Sequence, residues 1–237
     1  VNMSANRARL KSIAVVLIIL TAIVASVAYG AVSAEGVRNR ISRKIRERYQ
    51  VKNLVIKVIP FESDYWTQRG RFRSILVSAD KMERKGIAIR NIYMKGFDVT
   101  LDIPQLYAEG DVETKSRKKV VFSGRIYKDD LNKLLALKKM PIKNLAVDFV
   151  GGKLVFTGTY RFGFGHSLRM VGKLSIEEHR KINFVATAAS VNGIPLPAGP
   201  LRMLLNKINP LVDCQTIPLK PRVDRIEIKD NYILIKG

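Results

Sequence analysis

Apolar and polar positions change period along the chain, and each change predicts a different element. Residues Ile13 to Val32 form an apolar run softened only by Thr21, Ser26, Tyr29 and Gly30 and carrying no charge. At about 1.5 Å per residue a helix of this length reaches roughly 30 Å, the thickness of a bilayer's hydrocarbon core. Arg7, Arg9 and Lys11 precede the run, and Val32-Ser33-Ala34 offers the small residues of a signal-peptidase site. Residues 1–34 therefore read as an N-terminal transmembrane anchor or a cleaved signal, and residues 35–237 as the domain it delivers. Arg38, Arg40, Arg43, Lys44 and Arg46 follow the run closely, and a literal positive-inside count would keep the domain cytoplasmic. The signal-like start favours the opposite. The expectation is a cell-membrane protein, single-pass or processed, with its domain on the extracytoplasmic side.

From Gly36 to Tyr49 the period becomes four: Val37, Ile41, Ile45 and Tyr49 mark one helical face and arginines cover the others. From Leu54 it becomes two. Strands are predicted at 54–59, 73–79, 87–94, 97–101 and 120–127, punctuated by Gly86, Gly96 and Gly124. A helix follows from Asp129 to Lys138, stopped by Pro141. Four more strands are predicted at 145–150, 153–162, 167–177 and 181–191. A Pro-rich entry then leads to a short helix, Leu201 to Ile208. A hairpin turning at Asp230-Asn231 closes the chain. Val147, Phe149, Leu154 and Phe156 share their spacing with Ile226, Ile228, Ile233 and Ile235. Each set follows a helix containing Leu-Asn-Lys, at 131–133 and 205–207. This points to a helix-plus-hairpin unit used twice.

Charge changes the picture most. Of 237 residues, 42 are Lys or Arg and 20 are Asp or Glu, a formal net charge of +22. Such an excess favours anionic lipid, nucleic acid or acidic polymer as partner. No nucleic-acid motif is present, so nucleic acid is not the expected partner. One cysteine, Cys214, and two unclustered histidines, His166 and His179, exclude a disulfide and argue against a metal site; no cofactor is expected. Gly163 and Gly165 lack the rest of a phosphate loop. No Gly-x-Ser-x-Gly elbow exists, and Gly165-His166-Ser167 places its His and Ser on opposite strand faces. The chain is not expected to be an enzyme.

Several ordered motifs carry a resemblance. They are Arg69-Gly70-Arg71-Phe72 with Ala79-Asp80, Gly86-Ile87-Ala88-Ile89, Asp98-Val99-Thr100-Leu101-Asp102 and Asp129-Asp130-Leu131-Asn132. Val191-Asn192-Gly193-Ile194-Pro195-Leu196-Pro197 and the terminal Ile235-Lys236-Gly237 complete the series. Over residues 35 to 237 the chain resembles the LmeA family of phospholipid-binding proteins, related to the tubular lipid-binding fold. The resemblance implies an α+β fold in which a curved antiparallel sheet wraps around short helices. It also implies an apolar groove for acyl chains, export, and lipid binding without chemistry. Asp213-Cys214-Gln215 and the high basicity depart from the family pattern.

The expected function is thus a membrane-anchored or exported phospholipid-binding protein. The alternative is a non-catalytic envelope scaffold that holds an acidic polymer or protein through its basic surface. Adjacent leucines widen the apolar arc of both short helices, so acyl chains are expected against Leu131, Leu134, Leu135, Leu204, Leu205 and Ile208. Anionic headgroups or the membrane surface are expected at Arg38, Arg43 and Arg46 on the first helix. Lys115, Arg117, Lys118 and Lys119, in a predicted loop, would join them.

Overall fold

The computed structural model describes residues 32–109, 112–138, 141–162, 164–217 and 220–237. Helix α1 (Ala34–Arg48) starts at Ser33, whose hydroxyl accepts from the Gly36 amide at 3.0 Å. It buries Val37, Ile41 and Ile45, the stripe read from the sequence, and ends with Arg46 and Arg48 against the negative end of the helix dipole.

Strands β1 (Gln50–Lys52) and β2 (Val55–Pro60) are separated at Asn53, whose φ is 52°. The short helix α2 (Asp64–Gln68) leads into β3 (Arg71–Arg84) and β4 (Ile87–Leu101). Two predicted strands merge in β4, because Gly96 does not interrupt pairing. A Cβ there would lie 2.7 Å from Val99 Cγ2, so the glycine serves close packing. Helix α3 (Ile103–Ala108), capped by Asp102, precedes β5 (Thr114–Tyr127) and α4 (Lys128–Leu137). The hairpins β6 (Ile142–Val150), β7 (Lys153–Phe162), β8 (Phe164–Glu177) and β9 (Lys181–Val191) follow. Then come β10 (Ile194–Pro195), α5 (Ala198–Ile208), β11 (Val212–Asp213) and a 3-10 turn (Cys214–Thr216). The terminal hairpin is β12 (Arg225–Ile228) and β13 (Tyr232–Lys236).

All strand pairs are antiparallel. The seven-stranded sheet runs β1-β3-β4-β5-β13-β12, with β2 also on the β3 edge. The six-stranded sheet runs β10-β9-β8-β7-β6, with β11 also on the β9 edge. One buried cluster draws Phe72, Met94 and Phe122 from the first sheet and Leu154, Phe156 and Phe184 from the second.

This architecture is α+β, but it corrects the rest of the expected fold. The strands form two open sheets rather than one curved sheet wrapped around short helices. The physical reason is connectivity. Tight turns at Gly151-Gly152 and Glu178-His179, all with positive φ, keep β6 to β9 pairing among themselves, while β13 returns to β5. The two look-alike hairpins do share a register, Val147 opposite Phe156 and Ile226 opposite Ile235. Their helices do not match: α4 packs on β6 of its own hairpin, whereas α5 packs on β9 and its hairpin joins the other sheet. A duplicated helix-plus-hairpin unit is not what is built.

The transmembrane helix is corrected as well. Among the described residues no helix is long and apolar enough to cross a membrane. The longest helix meeting the predicted anchor, α1, has a narrow buried stripe and arginines around it, which suits packing on a sheet and not a lipid interior. The apolar run itself, apart from Val32, lies outside the described residues. The single-pass N-terminal anchor, and the membrane localisation drawn from it, therefore stand without structural support and are not carried further.

Candidate functional site

The last turn of α1 overhangs the far ends of β3 and the start of β5, and a cleft of about 160 Å³ opens there. Its rim carries Lys44 and Arg48 from α1, Arg84 from the end of β3, Arg117 from β5 and Lys220, against one carboxylate, Glu113. Its floor is apolar: Ile45, Val112 and Ile217. A narrower crevice of about 30 Å³ continues from it, sharing Tyr49, Arg84 and Ile217 and lined by Met82, Ile87, Ile89 and Ile92.

Local packing holds the rim in place. The Lys44 ammonium donates to the Glu109 carbonyl at 3.4 Å and lies 3.9 Å from the Glu47 carboxylate. Arg117 donates to the Lys220 carbonyl at 3.3 Å, tying the first sheet to the segment after the 3-10 turn. Arg84 stacks over the Tyr49 ring at 5.5 Å. Burial pushes the Tyr49 hydroxyl above its usual pKa, and the neighbouring Arg84 only partly offsets this, so the phenol stays protonated as a donor. A cationic rim beside apolar side chains can hold an anionic group next to hydrocarbon.

Of the basic residues expected to meet headgroups or the membrane surface, Arg117 alone lines this cleft. Arg38 pairs with Glu35 at 2.9 Å, and Arg43 and Arg46 are exposed on α1. Lys115 pairs with Asp102 at 3.1 Å, and Lys118 and Lys119 are exposed. These last belong to β5, not to a loop. Lys44 and Arg48 were legible as an i, i+4 pair flanking the Ile45–Tyr49 stripe. Arg84 and Lys220 had no sequence signal, since strand register and the 3-10 turn deliver them.

The six apolar site residues sit on α4 and α5. Leu131, Leu134, Leu135, Leu204 and Ile208 are buried and Leu205 is half-buried. The two helices meet at their C-terminal ends, where Lys138 donates to the Ile208 and Pro210 carbonyls. Burial lowers the Lys138 pKa. Leu134 also reaches the β3–β4 turn, its Cδ1 being 3.9 Å from where a Cβ on Gly86 would stand.

Cys214 is buried, and burial with Asp213 nearby pushes its thiol up to about 12, far from a reactive thiolate. Among the described residues no three His, Cys, Asp or Glu side chains are grouped to hold a metal ion.

The chain thus combines an α+β fold of two antiparallel sheets with a cleft lined by cations and apolar side chains. The chain belongs to the family of LmeA-like phospholipid-binding proteins, whose family model matches residues 32–237. It binds phospholipid and is not an enzyme. No curated protein and no solved structure gives a match to the chain.

Proposed function

We propose that the cleft beside the last turn of α1 is where the phospholipid sits, with an anionic headgroup held by the rim and acyl chains lying on the floor. The observation that carries this is the rim's composition, five cations to one carboxylate directly above isoleucine and valine. The headgroup phosphate takes charge-assisted hydrogen bonds from Arg48, Arg84 and Arg117. The tails pass Tyr49 and Ile217 into the Ile87–Ile92 crevice. From there they run toward Leu131, Leu134 and Leu135 at the β3–β4 turn and, beyond Lys138, toward Leu204, Leu205 and Ile208. Arg38, Arg43, Arg46, Lys115 and Lys118 supply a more diffuse attraction that concentrates anionic lipid near the mouth.

The test is lipid content. The full chain is purified in parallel with Arg48→Gln/Arg84→Gln, extracted with organic solvent, and its phospholipid measured. Loss of two charge-assisted contacts at about 1.5 kcal/mol or more each predicts at least about a hundredfold weaker retention of anionic phospholipid. A folded double variant with unchanged lipid content would place the headgroup elsewhere.

A further inference from the structure

Part of the solvent face of the seven-stranded sheet carries no carboxylate, Asp80 and Glu227 lying on that face outside it. Directly paired residues share a face, so Val55, Ser78 and Tyr93 form one cross-strand row, Lys57, Leu76 and Lys95 the next, and Ile59, Ser74 and Phe97 the third. On β5 the last two rows continue into Val121 and Lys119. None of these residues is acidic. Three lysines, Lys57, Lys95 and Lys119, stand among apolar side chains that solvent reaches: Val55 is 46% exposed, Ile59 42% and Tyr93 42%.

The β2–β3 connection extends this face with aromatic rings. Tyr65 and Trp66 of α2 pack edge to face at 5.1 Å and are 52% and 37% exposed. Arginines lie over them, Arg69 at 3.7 Å from the Tyr65 ring centre and Arg71 at 4.5 Å from that of Trp66. Rings with one apolar and one polar side, flanked by guanidinium groups, suit the headgroup layer of a bilayer. The amide of Val32 donates to the Gln68 side chain at 3.3 Å, and Gln68 donates back to the Val32 carbonyl at 3.3 Å, which holds the segment leading into α1 against α2.

We propose that α2 together with the lysine-bearing solvent face of the first sheet is a docking surface for anionic phospholipid bilayers, separate from the lipid-holding cleft. The exposed aromatic and aliphatic side chains enter the interfacial layer, and Lys57, Lys95, Lys119 and Arg69 meet the negative surface potential.

Trp66 is the chain's only tryptophan, so its fluorescence reports on this face alone. The full chain is mixed with preformed vesicles of phosphatidylcholine with or without phosphatidylglycerol, using lipids brominated near the glycerol end of the acyl chains. Docking predicts blue-shifted Trp66 emission, strong quenching by the brominated lipid, and protection from aqueous acrylamide, all greater with phosphatidylglycerol. Lys57→Gln/Lys95→Gln/Lys119→Gln removes three solvent-facing charges without touching the core. At about fivefold per lysine it abolishes the phosphatidylglycerol dependence while the copurified phospholipid stays unchanged. Trp66 left open to acrylamide and unquenched by bromine overturns the proposal, as does a face that instead cross-links to a second copy of the chain. Loss of copurified lipid in the triple variant would also overturn it, by merging this surface with the cleft.

Discussion

Arg90 on β4 grips Asp130 on α4 through two parallel hydrogen bonds, Nε to Oδ2 at 2.6 Å and Nη2 to Oδ1 at 2.9 Å, with the Asp130 side chain 1% exposed. The pair fastens the leucine-bearing helix to the first sheet, and the Tyr127 ring backs the guanidinium at 4.9 Å. Removing the arginine strands a buried carboxylate. Arg90→Met is expected to cost about 3 kcal/mol in urea denaturation, while Arg90→Met/Asp130→Leu, which leaves no orphaned charge, recovers most of it. Equal losses in the single and double variants would mean that packing, not charge burial, sets the cost.

Two asparagines close the two edges of the six-stranded sheet in the same way. Asn132 donates to the Val147 carbonyl at 3.1 Å and accepts from the Val147 amide at 2.7 Å; Asn209 does the same with Phe184 at 2.9 and 2.8 Å. On β9 the gap that Asn209 fills lies between the short strands β10 and β11, which pair at residues 190–191 and 181–182. A side-chain amide thus stands in for a missing strand residue and masks an edge. Asn132→Ala and Asn209→Ala should each lower stability by about 2 kcal/mol. The double variant should also scatter light on mild heating, as freed edges find other chains. A double variant that melts earlier without aggregating would remove the edge-masking argument.

The α1 stripe, the four hairpin strands from 145 to 191, the closing hairpin and the family likeness were legible because each rests on local periodicity or on ordered motifs. What was not legible depends on long-range register. The pairing of 71–84 with 87–101 carries Arg84 to the mouth of the cleft, and no local pattern in Glu83-Arg84-Lys85 announces it. Helix α2 was missed because five residues, Asp64–Gln68, give no full amphipathic turn. The α4 and α5 leucines were placed on the right helices. The burial of Leu131, Leu134, Leu135 and Leu204 depends on what packs against them from elsewhere in the chain, which a helical wheel does not contain.

Acid should weaken the junction near α2. Two hydrogen bonds from Arg71, at 2.7 and 2.9 Å, hold the Asp98 carboxyl below its ordinary 3.8. The folded state therefore binds that proton less readily than the unfolded chain. The resulting stability is fully present above about pH 4 and is lost as pH falls through the depressed folded value. Asp98 has a φ of 47°, a left-handed conformation that asparagine accepts, so Asp98→Asn isolates the charge. The variant should melt at a lower temperature than the parent at neutral pH, and the two curves should converge as pH approaches about 2. A constant gap across that range would assign the difference to something other than ionisation.

Blocking the cleft calls for a residue that borders empty space. Leu134 and Leu204 are 7% and 3% exposed, so tryptophan at either position must force neighbours apart. Leu134→Trp and Leu204→Trp are expected to cost about 1–3 kcal/mol each, and lipid loss from them would be confounded with misfolding. Val112 is half-buried on the floor of a cleft of about 160 Å³, with open volume in front of it. An indole there occupies the space assigned to the first acyl methylenes while the rim arginines remain. Val112→Trp should keep its melting temperature close to that of the parent and release most of the copurified phospholipid. Its attraction to anionic vesicles should persist, because the solvent face carrying Lys57, Lys95 and Lys119 is untouched. Full lipid content in a folded Val112→Trp protein would show that acyl chains do not use this floor.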